Sequence, residues 1–245
     1  MRLDVYLATF GILSSRSEAK SYIEEGLVYV GTKQILKPSF EIDGLEDQIS
    51  VDTTKRLYVS RGGIKLAGAL KEFKLDVHGK LCIDVGASSG GFTDCLLQNG
   101  ASKVIAVDSG SGQLVDKIRQ NASVTVFENY NARYMKPSDF SYVPDFAVMD
   151  VSFISATYII PALSTCLAEG ADFVCLIKPQ FEVGRAALGK GGIVKDDKAR
   201  RMAVDKVVDC ACAHGFESLG VITSSIKGGD GNVEFLAHFR KIRNF

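Results

Sequence analysis

The chain has 245 residues, 46% of them hydrophobic, with 29 basic and 29 acidic side chains. That size and apolar content suit one large folded domain, or a medium one with a small companion. A net charge of zero excludes nucleic-acid binding by overall charge and leaves only a local patch. No run approaches the ~18 apolar residues of a bilayer-spanning helix, and MRLDVYLATFG lacks the apolar stretch of a secretory signal.

The first 60 residues predict a small α+β unit. Leu3, Leu7 and Phe10 fall on one helical face, and Ser15 to Glu18 (SRSE) form a capping box for a second helix that Gly26 ends. LVYV and KQIL flank Gly31-Thr32 as a tight hairpin, although Gly-Thr is a weaker turn signal than Asn-Gly. This part carries seven basic and nine acidic side chains. The acidic EIDGLEDQISVD then leads into KRLYVSRGG, which reads as a linker over residues 55–64.

From residue 81 apolar runs of strand length alternate with helical or glycine-rich pieces: LCIDVG, KVIAVD, VTVFEN, DFAVMDVS and ADFVCLIK. This rhythm predicts a parallel sheet covered by helices on both faces. After a helix near 197–214 come SLGVITSSI and VEFLAHFRK, joined by the short KGGDG. So brief a connection allows only a hairpin, and the last strand is expected to run antiparallel, at or near the sheet edge. The six cysteines (Cys82, Cys95, Cys166, Cys175, Cys210, Cys212) hold no C-x-x-C pair, so none of the three histidines lies near such a pair. Reduced thiols in a cytoplasmic protein without a metal site are therefore expected.

IDVGASSGGFTD places a glycine turn between a strand and a helix, where an open α/β sheet takes a nucleotide-like ligand. The spacing Gly86-x-x-x-Gly90-Gly91 differs from the G-x-G-x-x-G of a dinucleotide site, which counts against a nicotinamide cofactor. A wider loop (Gly86, Ala87, Ser88, Gly90, Gly91, Phe92) suits a ligand whose carboxylate rests near the next helix. Asp84 at the strand tip is a partner for an ammonium, Asp108 after the next strand for a ribose diol, and Asn131 for an adenine. S-adenosylmethionine carries all of these groups.

Two opposite charges end neighbouring strands, Asp150 in VMDVSF and Lys178 in LIKPQF, and parallel topology delivers both to one crevice. Glu234, opening an antiparallel strand, belongs to the same rim, and Lys65 sits on a helix ahead of the first strand. Any one of these alone reads most simply as a solvated charge.

YVSRGGIKL, IDVGASSGGFTD, VMDVSFIS, LIKPQFEVGR and GNVEFL, in this order, resemble the TlyA family, known both as haemolysins and as rRNA 2′-O-methyltransferases. The resemblance implies a Rossmann-like class I methyltransferase of the FtsJ type over residues 65–245, with a seven-stranded, mostly parallel sheet whose last strand is antiparallel. It also implies a Lys-Asp-Lys-Glu tetrad, here Lys65, Asp150, Lys178 and Glu234, with S-adenosylmethionine as cofactor and cytidine in rRNA or ribosomal subunits as substrate. Residues 1–54 are similar to the alpha-L RNA-binding domain of ribosomal protein S-four, through RLDVYL, SRSEAKSYIEEGLVYV and KP. Arg2, Arg16, Lys20, Lys33 and Lys37 are then the expected phosphate contacts. Lys178 is expected to meet the ribose hydroxyl as base or oxyanion stabiliser, oriented by Asp150 and Glu234. The competing readings are a membrane-damaging haemolysin, against which the lack of a spanning segment counts, and an RNA-binding protein without catalysis. The oligomeric state is open.

Overall fold

A computed structural model of the chain describes residues 1–13 and 15–242. Residues 243–245, the last of the expected methyltransferase domain, lie outside them. The chain divides into two compact units, Met1–Arg61 and Gly62–Phe245.

In the first unit α1 (Leu3–Thr9) and α2 (Arg16–Glu24) pack on a three-stranded antiparallel sheet of order β2-β1-β3, with β1 Val28–Val30, β2 Lys33–Ile35 and β3 Ile49–Val51. The Ser15 side chain accepts a hydrogen bond from Glu18 N at 3.1 Å, so the capping signal acts as read. Val30 pairs with Lys33 across Gly31-Thr32, and only Gly31 takes positive φ, as a two-residue turn with glycine in its first place requires. Leu3, Leu7, Ile23, Val28, Ile35 and Ile42 form its core, each at most 3% exposed. β3 comes from the acidic segment, where no strand is expected from the sequence. In the stretch expected as a linker, the Arg56 guanidinium lies 4.2 Å over the Tyr22 ring and donates to Ser21 Oγ, and Arg61 pairs with Glu24 at 3.0 Å.

The second unit opens with α3 (Arg61–Glu72) and continues through β4 (Leu81–Val85), α4 (Gly91–Gln98), β5 (Lys103–Val107), α5 (Asp116–Arg119), β6 (Val124–Phe127) and β7 (Phe146–Met149). Then follow α6 (Ile160–Cys166), β8 (Asp172–Ile177), α7 (Pro179–Glu182), α8 (Asp197–Ala213), β9 (Phe216–Thr223) and β10 (Phe235–Lys241). The seven strands lie in the order β6-β5-β4-β7-β8-β10-β9. β4 to β8 are mutually parallel, and β10 is antiparallel to both its neighbours. β7 is buried along its whole length and β8 at every position but the first, because helices cover both faces. β9 alternates between shielded and exposed positions, as an edge strand does. The last strand is therefore antiparallel and near the edge, as expected, one place inside it and slotted between β8 and β9.

Sequence order reverses between β4 and β7: β5 and β6 extend the sheet to one side of β4, and β7 and β8 to the other. A parallel sheet opens its ligand crevice at the carboxyl ends beside such a switch point. Gly86, Asp150 and Lys178 follow directly on β4, β7 and β8, so topology alone brings them to one end of the sheet.

Candidate functional site

The glycine turn after β4 is shaped by what it passes. A Cβ on Gly86 (φ +90) would stand 2.4 Å from the carbonyl oxygen of Asp150, so only glycine lets the turn lie against the tip of β7. Gly86 N and Ala87 N both donate to Val107 O, at 2.8 and 3.1 Å, which ties the turn to β5. Gly90 (φ +94) caps α4, and a Cβ there would meet Leu114 Cδ1 at 2.9 Å. These contacts hold open a cleft of about 650 Å³, within the usual range for a small-molecule site.

Gly86, Ser88, Asp108, Asn131 and Asp150 line this cleft. Asp108 accepts from Ser88 N through one oxygen and from Gly110 N through the other, both at 2.7 Å. Each oxygen keeps a second lone pair for a ligand hydroxyl. Asn131 uses its side-chain oxygen to accept from Arg133 N at 3.1 Å, which leaves its NH2 group to donate. Asp84, Ala87, Gly90, Gly91 and Phe92 stand elsewhere: they are buried and do not line the cleft. Tyr130, Gln113 and Phe153 do line it and carry no signal of this in the sequence.

Asp84 is fully buried. One of its oxygens accepts from Thr93 Oγ1 at 2.6 Å and the other has no partner. Burial is the largest cause that lifts its carboxyl to about 7; the Thr93 bond opposes it, and the negative charges of Asp150 and Asp108 add to it. Asp108 and Asp150 thus line the cleft with Asp84 buried behind its wall, and Asp84 and Asp150 each have an oxygen without a hydrogen-bond donor. Such a site favours a cationic ligand and repels a polyphosphate. The sulfonium and ammonium of S-adenosylmethionine fit it, with the diol left for Asp108.

Asp150 also belongs to one of two lysine–acid pairs, whose other members, Lys65, Lys178 and Glu234, do not line the cleft. Lys178 Nζ lies 2.6 Å from Asp150 Oδ1, off the hydrogen-bond direction, and donates to Ser152 Oγ at 2.7 Å. Lys65 Nζ donates to Glu234 Oε2 at 2.5 Å, with 9% of the lysine side chain and 3% of the glutamate exposed. Burial raises the Glu234 carboxyl above its ordinary value; Lys65 opposes this most, then Lys178, while Asp150 adds to it. All four side chains therefore lie within electrostatic reach of one another. The pairing differs in detail from the expectation: Lys178 is held by Asp150 and Ser152, whereas Glu234 holds Lys65.

Phe153, three residues beyond Asp150, takes φ +62, costly for an aromatic residue, and is 92% exposed. Its ring packs against Phe181 at 5.2 Å between centroids, and Lys178 Nζ lies 6.0 Å from the Phe181 ring.

In the first unit Arg2 donates to both oxygens of Asp4, at 2.9 and 3.0 Å, and Arg16 donates to Asp4 at 2.9 Å. Burial raises the Asp4 carboxyl, and the two guanidinium groups more than reverse this, leaving it below its ordinary value. Lys20 pairs with Glu24 at 3.6 Å, and Lys33 and Lys37 are exposed. Among the described residues no helix is long and apolar enough to cross a membrane, and no group of three His, Cys, Asp or Glu side chains could hold a metal ion.

Residues 58–241 match the FtsJ-like methyltransferase family, and residues 1–49 match the S4 domain. The protein named 16S/23S rRNA (cytidine-2'-O)-methyltransferase TlyA of Mycobacterium tuberculosis is 40% identical, over 98% of this chain and 89% of its own. Hemolysin A of Brachyspira hyodysenteriae is 43% identical, over 98% and 99%. The solved structure of a hemolysin-like protein from Streptococcus thermophilus superposes with a TM-score of 0.79 at 44% identity, covering 100% of this chain and 89% of that one.

Proposed function

Because the chain belongs to the FtsJ-like methyltransferase family, among its TlyA relatives, we propose that it methylates the ribose 2′-oxygen of a cytidine in ribosomal RNA, with S-adenosylmethionine as donor. Residues 1–54 bind the RNA, residues 55–64 join the parts, and residues 65–245 carry out the transfer in the cytoplasm, where ribosomal subunits are. S-adenosylmethionine supplies, when bound, a methyl group on a positively charged sulfur. Asp108 holds its diol, Asn131 its adenine, and the acids Asp84 and Asp150 supply the negative field that favours its charge. Asp84 acts through that field from behind the cleft wall.

Methyl transfer to a hydroxyl is an in-line displacement, so the protein's task is alignment and removal of one proton. Lys178 Nζ meets the 2′-oxygen as base or as oxyanion stabiliser: a neutral amine takes the hydroxyl proton as the oxygen takes up the methyl group, whereas an ammonium donates to that oxygen and the proton passes to water. Asp150 and Ser152 fix Nζ in place, while Lys65 and Glu234 set the charge around it. Phe153 offers its face to a base splayed out of the RNA, the usual way a single-stranded nucleotide is held. Arg2, Arg16, Lys20, Lys33 and Lys37 contact phosphates.

The observation that carries this reading is the position of Lys178 Nζ against Asp150 and Ser152, two residues that line a cleft suited to a cation. Transfer of labelled methyl groups to rRNA tests it. Lys178→Ala is expected to lower the rate about 10²–10⁴-fold while cofactor affinity changes little. Undiminished transfer would remove Lys178 from the mechanism, and wild-type protein that transfers nothing to rRNA would favour RNA binding without catalysis.

A further inference from the structure

α7 begins immediately after Lys178 and ends at Glu182, a carboxylate whose side chain is only 2% exposed and which does not line the cleft. Oε1 accepts from the backbone N–H of Ala156 at 2.7 Å, and Oε2 accepts from Ser155 Oγ at 2.5 Å. Lys206 of α8 closes the cluster: its Nζ donates to Glu182 Oε2 at 3.2 Å and to the Glu182 carbonyl at 3.0 Å. Ser155 and Ala156 end the loop that starts at Asp150, carries Ser152 against Lys178, and presents Phe153 in its strained conformation.

This loop is fastened to α7 three times. Lys178 holds Asp150 and Ser152, Phe181 packs on Phe153, and Glu182 holds Ser155 and Ala156. The first two fastenings lie at the cleft, where substrate must come and go. The third is buried and uses both oxygens of one carboxylate, so it is the anchor on which the others depend. A positive φ on an aromatic residue persists only where its surroundings over-determine it. Glu182 supplies that constraint two residues beyond Phe153.

We propose that Glu182 is a positioning residue of the reaction: through Ser155 and Ala156 it sets the 150–156 loop against α7 and so fixes Ser152, Phe153 and Asp150 relative to Lys178. This rests on the methyltransferase reading above. It differs from a general stabilising role because its effect is confined to one loop.

Two measurements on the full chain test it: steady-state methyl transfer to rRNA, and amide hydrogen exchange of the protein alone. Glu182→Ala is expected to lower kcat at least tenfold with KM for RNA within twofold, and to speed exchange of residues 150–156 at least tenfold with β4 and β8 unchanged. Glu182→Gln keeps an oxygen for the Ala156 amide and an NH2 for Ser155 Oγ, and is expected to restore kcat to within threefold of wild type. A kcat and a loop exchange both within twofold of wild type in Glu182→Ala would overturn the proposal, as would exchange speeded throughout the sheet. Should Glu182→Ala not fold, Ser155→Ala decides by the same two readouts and the same limits. If wild-type protein transfers no methyl group, the function fails, while exchange in the loop still upholds or overturns the positioning.

Discussion

Asp4 in the first unit and Glu234 in the second are equally shielded, each with 3% of its side chain exposed, yet their carboxyl groups shift in opposite directions. Asp4 is held by two guanidinium groups, one of them engaging both oxygens, and the pull of Arg2 and Arg16 outweighs the penalty of burial. Glu234 has a single ammonium in contact and another carboxylate, Asp150, within reach, so burial wins. Equal exposure therefore does not fix what a buried acid does: Glu234 lies deeper in the protein than Asp4, and the number and geometry of their partners differ as well. The difference also separates two uses of charge. The Asp4 cluster holds two half-exposed arginines at the surface, whereas the Lys65–Glu234 pair is shielded from water and lies within electrostatic reach of Lys178.

The strongest way to break this contrast is to remove Lys65. Lys65→Met leaves Glu234 buried without its ammonium, an expected loss of about 3–5 kcal/mol in unfolding free energy by urea titration. Adding Glu234→Leu is expected to recover most of that stability and none of the activity; a double variant as unstable as the single one would show that the cost lies in packing. The opposite shifts also predict opposite pH limbs. The Asp4 carboxyl is held below its ordinary 3.8, so its contribution is present at neutral pH and is lost as pH falls below about 3.8. The Glu234 carboxyl is held above its ordinary 4.5, so its contribution is greatest below about 4.5 and declines as pH rises through the folded value. Asp4→Asn should therefore weaken the acid limb and Glu234→Gln should flatten the upper one, both read from stability at a series of pH values. The smallest effect concerns the arginines. With half of each side chain in water, Arg16→Ala is expected to cost under about 1 kcal/mol of stability. It is also expected to reduce the salt dependence of RNA binding by about one phosphate contact. An unchanged salt slope would place the RNA surface elsewhere.

Much of this was legible in the sequence because it follows from period and topology. Strands ending in Gly86, Asp150 and Lys178 must meet at one end of a parallel sheet, and SRSE must start a helix. What was not legible depends on contacts in space. β3 is three residues long and lies in an acidic stretch, too short for any alternation to appear. The place of β10 inside the edge is a matter of strand order, which periodicity does not encode. Phe153 adopts its left-handed backbone without a glycine to announce it, and nothing in LIKPQFEVGR sets Glu182 apart until Ser155 and Ala156 are found against it. Asp150, Lys178 and Glu234 were expected at one rim, with Lys65 on a helix ahead of the first strand, but which lysine each acid holds is decided by distances of an ångström or two.

The bond between Lys65 and Glu234 joins positions 169 residues apart. Nearly the whole second unit lies in the loop it closes, and β10 can take its place only between two strands that precede it in the chain. During synthesis the glycine turn, Asp150 and Lys178 all emerge before Glu234 exists, so a growing chain holds an incomplete charge set for most of its translation.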